Sequence, residues 1–429
     1  MKYTKRKHVK KIKKTFRKKR HNKKKTQKRK YFGGTETDEA IALPEDSIHK
    51  ILTLIHPGLS RLVTKKSVKS INPKDLLSID IIMASHLEDE YRDILLSEKF
   101  KNNLCKIAAT KGYLSTLQWA RENGCPWNSE VCYVAAEGGH LDCLQWAREN
   151  GCDWDWETCW GAAKGGHLIC LQWAREQNPP CPWNESICAV AARTGNMNCL
   201  QWSHENGCKW DDNTCSGAAE YGHLNCLQWA REQNPPCPWN AEVCGSAAKG
   251  GHLDCLKWAR ENGCSWDEDT CYNAAWENHL DILKWARSQR PPCPWEKSVC
   301  VVATENGHLD ILKWLREQEP PCPWDDEVCS SAAENGQLNC LQWAHENDCP
   351  WNWKTCAFAA RNGHLECLIW ARENGCPWDA RTCSNAVEKG HLDCLKWAIE
   401  NGCECDLKEC RKGAVFYKRQ DIVEWIDSQ

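Results

Sequence analysis

The sequence predicts an all-α solenoid of about twelve helix-turn-helix units, and three observations support this. One tryptophan recurs every 27 to 29 residues, at positions 119, 146, 173, 202, 229, 258, 285, 314, 343, 370, 397 and 425. In ten units a second tryptophan, first at position 127, lies 19 residues earlier, so the length variation falls in the connectors between units. Each unit has room only for helices too short to be stable alone in water. Such a period is typical of stacked repeats that bury their apolar faces against neighbours.

The first helix of a unit is predicted from a cap, small residues and a terminating glycine. In the unit that starts at Trp127, these are Asn128, Cys132, Ala135-Ala136 and Gly139. Asn and Asp are good N-cap residues, and small side chains let helices approach closely. Asn or Asp occupies the cap position in nine further units, at Asp155, Asn184, Asp211, Asn240, Asp267, Asp325, Asn352, Asp379 and Asp406.

The second helix is expected to begin near His140. Apolar residues within Leu141–Ala147, including the recurring tryptophan, form a broad face that should be buried. Arg148 and Glu149 should then face water, and Gly151 should supply a left-handed C-cap. The two-residue insertion that lengthens some units lies after this helix, so both helices should keep their register.

The N-terminal residues 1–40 are predicted to be a disordered basic tail. Residues 1–34 contain 18 of the 56 Lys and Arg residues and no Asp or Glu, which leaves 38 basic against 58 acidic residues in the remaining chain. So few apolar residues cannot offset the entropy of ordering. Residues 2–30 are either a nucleic-acid-binding or nuclear-import segment or a solvated tail that keeps an acidic body soluble. The candidate nucleic-acid-binding residues are Lys10, Lys11, Lys13, Lys14, Arg17, Lys18, Lys19 and Arg20.

Residues 41–100 contain no copy of the repeat and are predicted to be a small helical segment. Leu43–Glu45, Ile48, Ile51-Leu52 and Pro73–Leu77 resemble a degenerate F-box. That resemblance implies a ubiquitin-ligase subunit as a partner and the solenoid as the substrate arm. The alternative is a helical cap on the array.

The repeat itself, which covers residues 101–429, resembles the ankyrin family. Thr158–Leu168 resembles the first helix and turn of an ankyrin repeat, Leu171–Glu176 its second helix, and Gly151–Asp155 the family's connector. The resemblance implies a protein-binding scaffold that holds its partner on the concave face. An ankyrin unit has about 33 residues, and the residues missing here fall where that family builds a β-hairpin finger, so the fingers should be trimmed to turns. This variant, with its basic leader, resembles ankyrin proteins of large amoeba-infecting DNA viruses.

Of the 32 cysteines, 31 occupy three positions of the unit, as in Cys125, Cys132 and Cys143, and Cys405 replaces a connector tryptophan. The spacing contains no Cys-x2-Cys metal knuckle. We expect core packing, because free Cys behaves as a small buried hydrophobe, and no metal or cofactor. The first two positions do not vary between units, which leaves a disulfide or metal ladder as the alternative. The third position is taken elsewhere by Thr116, Ile282, Ile311 and Ile422.

No catalytic motif was found, and the chain is not expected to be an enzyme. A histidine recurs at one turn position per unit, which does not make a cluster, and the ankyrin resemblance implies that it closes the turn by hydrogen bonding. The recurring histidines are His140, His167, His223, His252, His279, His308, His364 and His391.

The positions that differ most between units should face solvent and carry the partner specificity. They are the two residues after the Ala-Ala pair, which lie on the concave edge in ankyrin arrays. Exposed aromatic and Arg residues are the usual anchors of interfaces. The candidate partner-binding residues are therefore Arg193, Tyr221, Trp276 and Arg361, followed by Trp156 and Trp353 in the first helical turn. The alternative is solvated variation after recent duplication.

The expected location is intracellular, because the N-terminus lacks the apolar core of a secretion signal and no apolar run is long enough to cross a bilayer. The ankyrin resemblance implies the host cytoplasm for a viral protein, and the basic tail indicates the nucleus as an alternative location. We expect a monomer whose thiols are reduced and which does not associate with membranes.

Overall fold

The computed structural model describes residues 101–429, and these residues form 24 helices and no strand. They belong to a single compact unit. The predicted all-α helical repeat array is confirmed. The predictions for the basic tail and for the segment 41–100 lie outside the described residues.

The helices alternate between the first and the second helix of each unit. The first helices are α1 (Leu104–Lys111), α3 (Ser129–Glu137), α5 (Trp156–Gly165), α7 (Ser186–Arg193), α9 (Asp212–Glu220), α11 (Glu242–Gly250), α13 (Glu268–Trp276), α15 (Lys297–Glu305), α17 (Asp326–Glu334), α19 (Trp353–Arg361), α21 (Ala380–Lys389) and α23 (Leu407–Phe416). The second helices are α2 (Leu114–Glu122), α4 (Leu141–Glu149), α6 (Leu168–Glu176), α8 (Met197–Glu205), α10 (Leu224–Glu232), α12 (Leu253–Glu261), α14 (Leu280–Ser288), α16 (Leu309–Arg316), α18 (Leu338–Glu346), α20 (Leu365–Glu373), α22 (Leu392–Glu400) and α24 (Gln420–Asp427).

The first helices form the tightly packed side of the solenoid. Each packs closely on the first helix of the next unit, whereas neighbouring second helices meet at few positions. Small residues make this approach feasible, and Ala135 and Ala136 are completely buried at such a contact. Because the first helices approach each other more closely than the second helices do, we call the first-helix side of residues 101–429 the inner side and the second-helix side the outer side.

The predicted caps and turns are found in most units. The side chain of Asn128 accepts a hydrogen bond from the backbone N–H of Glu130 at 3.2 Å. Equivalent bonds are made by Asp155, Asn184, Asn240, Asp325, Asn352, Asp379 and Asp406. Asp211 and Asp267 adopt the same extended backbone without this bond. Gly139 and Gly151 have φ of +74° and +81°, the left-handed conformation that favours glycine.

The connectors absorb the length variation without moving the helices. In a short unit the N–H of Cys152 donates to the carbonyl of Ala147 at 2.9 Å, and in a long unit the N–H of Cys181 donates to that of Ala174 at 3.0 Å. The same bond thus closes both connectors, although two residues are inserted before Cys181. The prediction that the insertion lies in a loop is confirmed.

The connector cysteines also link neighbouring units. The Sγ of Cys152 donates a hydrogen bond to the carbonyl of Asn128 in the preceding connector at 3.2 Å. Ten such bonds, 3.2 to 3.4 Å long, run along the array from Cys152, Cys181, Cys208, Cys237, Cys264, Cys293, Cys322, Cys349, Cys376 and Cys403. The connector thiols therefore pack and also bond across the unit boundary.

The third cysteine position is purely apolar. Cys143 and Cys226 are completely buried, and burial raises the pKa of their thiols to about 12 and about 11. These thiols are protonated at neutral pH and serve as small core residues. All 32 cysteines are free thiols in the structure.

The outer side of the solenoid carries a repeating Arg–Trp–Trp contact. The two tryptophans of a unit pack edge to face, as in Trp127 and Trp146 with ring centroids 5.7 Å apart, and both remain half-buried. The guanidinium of Arg148 lies 4.6 Å from the ring centroid of Trp154 in the next connector and donates to the carbonyl of Cys152 at 3.2 Å. The expectation that Arg148 faces water holds only in part, because the side chain is half-buried and its planar group contacts a ring and a carbonyl at the unit boundary.

The hydrogen bond from a connector cysteine to the preceding connector can be tested by comparing two buried cysteines, one that makes this bond and one that does not. Cys152→Ala should destabilise the solenoid by about 1 kcal/mol more than Cys226→Ala, because only the former removes a hydrogen-bond donor to a backbone carbonyl. Both changes delete the same atom from a completely buried site. Urea unfolding of the two variants measures the difference, and equal unfolding midpoints would show that the Sγ bond contributes nothing.

Candidate functional site

The first-helix edge is the row of residues that lies in the last turn of each first helix, five positions after its cysteine. Each is exposed or half-buried on the inner side of the array. The row consists of Glu137, Lys164, Arg193, Glu220, Lys249, Trp276, Glu305, Glu334, Arg361 and Glu388. The residues differ in charge and size while the core around them repeats, and their role as a specificity surface stays a prediction.

Members of the first-helix edge contact each other across unit boundaries. Lys164 forms an ion pair with Glu137 of the preceding unit at 2.7 Å, and Lys249 pairs with Glu220 at 2.9 Å. These side chains are partly exposed, so each pair contributes little to stability. The contacts nevertheless join edge residues of neighbouring units into pairs.

Two of the predicted partner-binding residues are brought together by the fold. The Nη2 of Arg193 donates a hydrogen bond to the hydroxyl of Tyr221 at 2.6 Å, and its guanidinium lies 4.7 Å from the ring centroid. Tyr221 remains 44% exposed. Arg193 and Tyr221 therefore form one small cation–aromatic surface that belongs to two adjacent units.

The other candidates lie in separate units. Trp276 is 43% exposed at the end of α13. Arg361 is paired with Glu388 of the next unit at 3.2 Å. Trp156 is 40% exposed at the opposite end of its helix, and Trp353 is half-buried beneath the guanidinium of Arg381, 3.2 Å from its ring centroid. Trp276 is thus the most accessible aromatic of the edge apart from Tyr221.

The residue that recurs in the turn after the first helix, usually histidine, bonds to the backbone carbonyl of an edge residue in the preceding unit. The Nε2 of His308 lies 3.0 Å from the carbonyl oxygen of Trp276 in the preceding unit. Asn196 and Gln337, which replace histidine at this position, donate through their amides to the carbonyls of Lys164 and Glu305 at 2.9 and 3.2 Å. The histidine therefore has a structural role, and its bond reaches across the unit boundary.

The left-handed glycine of the turn leaves room for this histidine. A Cβ at Gly139 would collide with the ring of His167 in the next unit, and a Cβ at Gly336 would collide with His364. Each position thus requires glycine for two reasons: its backbone has a positive φ, and the neighbouring turn approaches it closely. This packing holds the carbonyl of each edge residue in place.

Sequence reasoning missed the charge pattern of the edge between Trp276 and Glu334. Glu305 and Glu334 are adjacent acids, and burial together with Glu334 raises the pKa of the Glu305 carboxyl. Tyr272, one helical turn before Trp276, lies with its ring centroid 6.0 Å from that of the tryptophan. A comparison of the edge position in successive units would have revealed that Trp276, Glu305 and Glu334 follow each other without a Lys or Arg.

No group of three or more His, Cys, Asp or Glu side chains in residues 101–429 is arranged to hold a metal ion. In the same range, none of the helices combines the length and apolar character needed to cross a membrane. The candidate nucleic-acid-binding residues within 10–20 lie outside this range.

Comparison with known proteins gave structural neighbours only. No family model and no curated protein matches the chain. Solved structures that match include the pentatricopeptide repeat protein PPR10 in complex with an 18-nt psaJ RNA element, at 12% identity and a TM-score of 0.37 over 90% of this chain and 68% of that one. The human ASB11 ankyrin repeat domain matches at 18% identity and a TM-score of 0.24 over 42% of this chain and 80% of that one.

The turn histidines should make the solenoid acid-sensitive. Burial lowers the pKa of His223, His364 and His391 below its usual value. The unfolded chain therefore takes up protons at a higher pH than the folded one, so stability that is complete above about pH 6.5 is lost as the pH falls through the lowered pKa values. The thermal midpoint should be lower at pH 5.5 than at pH 7.5.

Replacing these three histidines by Gln should reduce the difference between the two midpoints, because the amide of Gln337 already fills this position without titrating. Exposed Glu149→Gln is the control and should leave the difference unchanged. An undiminished pH dependence in the triple variant would contradict the assignment to the turn histidines.

Proposed function

We propose that the solenoid is a non-catalytic scaffold that binds a protein partner along the first-helix edge. The observation that carries the proposal is the contrast between a core that repeats from unit to unit and an edge row that does not. Exposed Arg193 and Trp276 belong to this row, and exposed Tyr221 lies directly beside it and contacts Arg193. Residues of these types supply most of the energy in protein interfaces.

The two sides of the array differ in how much they vary, and this supports the choice of surface. The inner side offers a row of varied side chains contributed by many units, whereas the outer side repeats one contact, in which Arg, or His at positions 204 and 345, packs on the connector tryptophan. A uniform surface gives no means of choosing between partners, and a varied surface does. The edge also requires no rearrangement to be accessible, because its residues are already exposed or half-buried.

A triple substitution of the edge should abolish partner recognition. Arg193→Ala, Tyr221→Ala and Trp276→Ala together should reduce the capture of a specific partner in proximity labelling by tenfold or more, since single anchors each contribute 2 kcal/mol or more. Ile169→Ala is the control, because Ile169 is 67% exposed on a second helix outside the edge. A labelling profile that is the same for the triple variant and the wild type would refute the proposal.

Two alternatives concern residues outside the described range. An F-box-like role for residues 41–100 predicts that the chain binds the ubiquitin-ligase subunit that recognises F-boxes, and that deletion of this segment abolishes binding. A nucleic-acid role for residues 2–30 predicts duplex binding that weakens steeply with salt and is lost without the tail. Retained binding in either deletion would refute the corresponding alternative.

A further inference from the structure

The pairing pattern of the first-helix edge is interrupted between the sixth and the tenth unit. On one side Lys249 pairs with Glu220, and on the other Arg361 pairs with Glu388. The edge positions between them are Trp276, Glu305 and Glu334, and none of these is a cation. Among residues 101–429, no lysine or arginine forms an ion pair with Glu305 or Glu334.

The interruption coincides with an aromatic surface. Trp276 is 43% exposed, and the half-buried ring of Tyr272 lies beside it on the same helix at 6.0 Å and an interplanar angle of 37°. Burial raises the pKa of the Tyr272 hydroxyl, and the nearby carboxylates of Glu305 and Asp269 raise it further. Aromatic faces and negative charge therefore lie close together in one region, in which Trp276 is exposed and Tyr272, Glu305 and Glu334 are half-buried.

Elsewhere on the inner side, the chain covers such aromatic rings with its own cations. Arg193 lies over Tyr221 at 4.7 Å, and Lys164 lies over Trp160 at 5.1 Å while it also pairs with Glu137. The second arrangement is an ammonium held between an indole and a carboxylate. At Tyr272 and Trp276 the rings and the carboxylates are present, but no lysine or arginine of residues 101–429 lies over either ring.

We propose that the surface formed by Tyr272, Trp276, Glu305 and Glu334 binds a lysine or arginine side chain from a basic segment of a protein partner. The proposal rests on the proposed function and specifies the chemistry of the partner. The indole face attracts the cation through the ring quadrupole. The two carboxylates accept its charge-assisted hydrogen bonds. The cation also relieves the repulsion between two neighbouring acids.

The full-length chain allows a direct test by fluorescence anisotropy. The probes are three labelled twelve-residue peptides on the same Gly/Ser background, which carry four Arg, four Gln or four Glu residues. The Arg peptide should bind saturably and more weakly as the salt concentration rises. The Gln peptide should bind at least tenfold more weakly, and the Glu peptide should not bind.

Substitutions then locate the site. Trp276→Ala should weaken binding of the Arg peptide by about tenfold, in keeping with a desolvated cation–aromatic contact. Glu305→Gln together with Glu334→Gln should have a similar effect without altering side-chain volume. Ile169→Ala and Glu149→Gln, which alter an exposed apolar and an exposed acidic residue of second helices, are the matched controls and should bind like the wild type.

The outcomes separate this proposal from the general function. Wild-type affinity in both Trp276→Ala and the Glu305/Glu334 variant, or equal binding of the Arg and Gln peptides, overturns the cation site. If the triple edge variant still loses its partner in proximity labelling, the scaffold function stands and only the partner chemistry is wrong. Unchanged circular dichroism melting of the isosteric Glu→Gln variant excludes unfolding as the cause of a loss.

Discussion

The close packing of the first helices through their alanine pairs is the constraint on which the rest of the solenoid depends. Ala135 and Ala136 are completely buried, and no helix of eight to ten residues would be stable without such a neighbour. The short distance between neighbouring first helices also lets edge residues of successive units touch, as Glu137 and Lys164 do at 2.7 Å. The surface proposed for binding is thus a direct product of how the core is packed.

The cysteines show how one residue type serves two purposes in the same core. Connector cysteines such as Cys152 donate to a carbonyl of the preceding connector, which an aliphatic residue could not do. Cys143 only fills volume, and isoleucine does so equally well at Ile282 and Ile311. This difference gives a physical reason why the connector position does not vary between units whereas the third position does, without invoking a disulfide or metal ladder.

Repetition made much of this fold predictable from the sequence, but it did not predict every side-chain contact. Invariant spacing placed the insertion in the connector, and the Asn128 cap and the Gly139 turn follow from local backbone preferences. The contacts of Arg148 are local, because its carbonyl and ring partners, Cys152 and Trp154, lie in the connector that follows its own helix, and they depend on how that connector folds back. The pairing of Arg193 with Tyr221 depends instead on how two units stack, so the sequence identified both residues without showing that they touch.

The two sides of the array are therefore under different constraints. On the outer side, the residue at the position of Arg148 packs on the connector tryptophan, and His204 and His345 replace arginine there by stacking on Trp210 and Trp351 with ring centroids 3.6 and 3.7 Å apart. At the last unit boundary both partners are replaced, by Ile399 and Cys405. This position therefore varies only in ways that keep the contact or remove both partners. On the inner side the edge residues contact each other only at their exposed tips, where ion pairs contribute little to stability. Substitutions there cost the fold little, so this side is free to vary with the partner, and Trp276 with its two neighbouring acids is the largest departure from the pairing pattern.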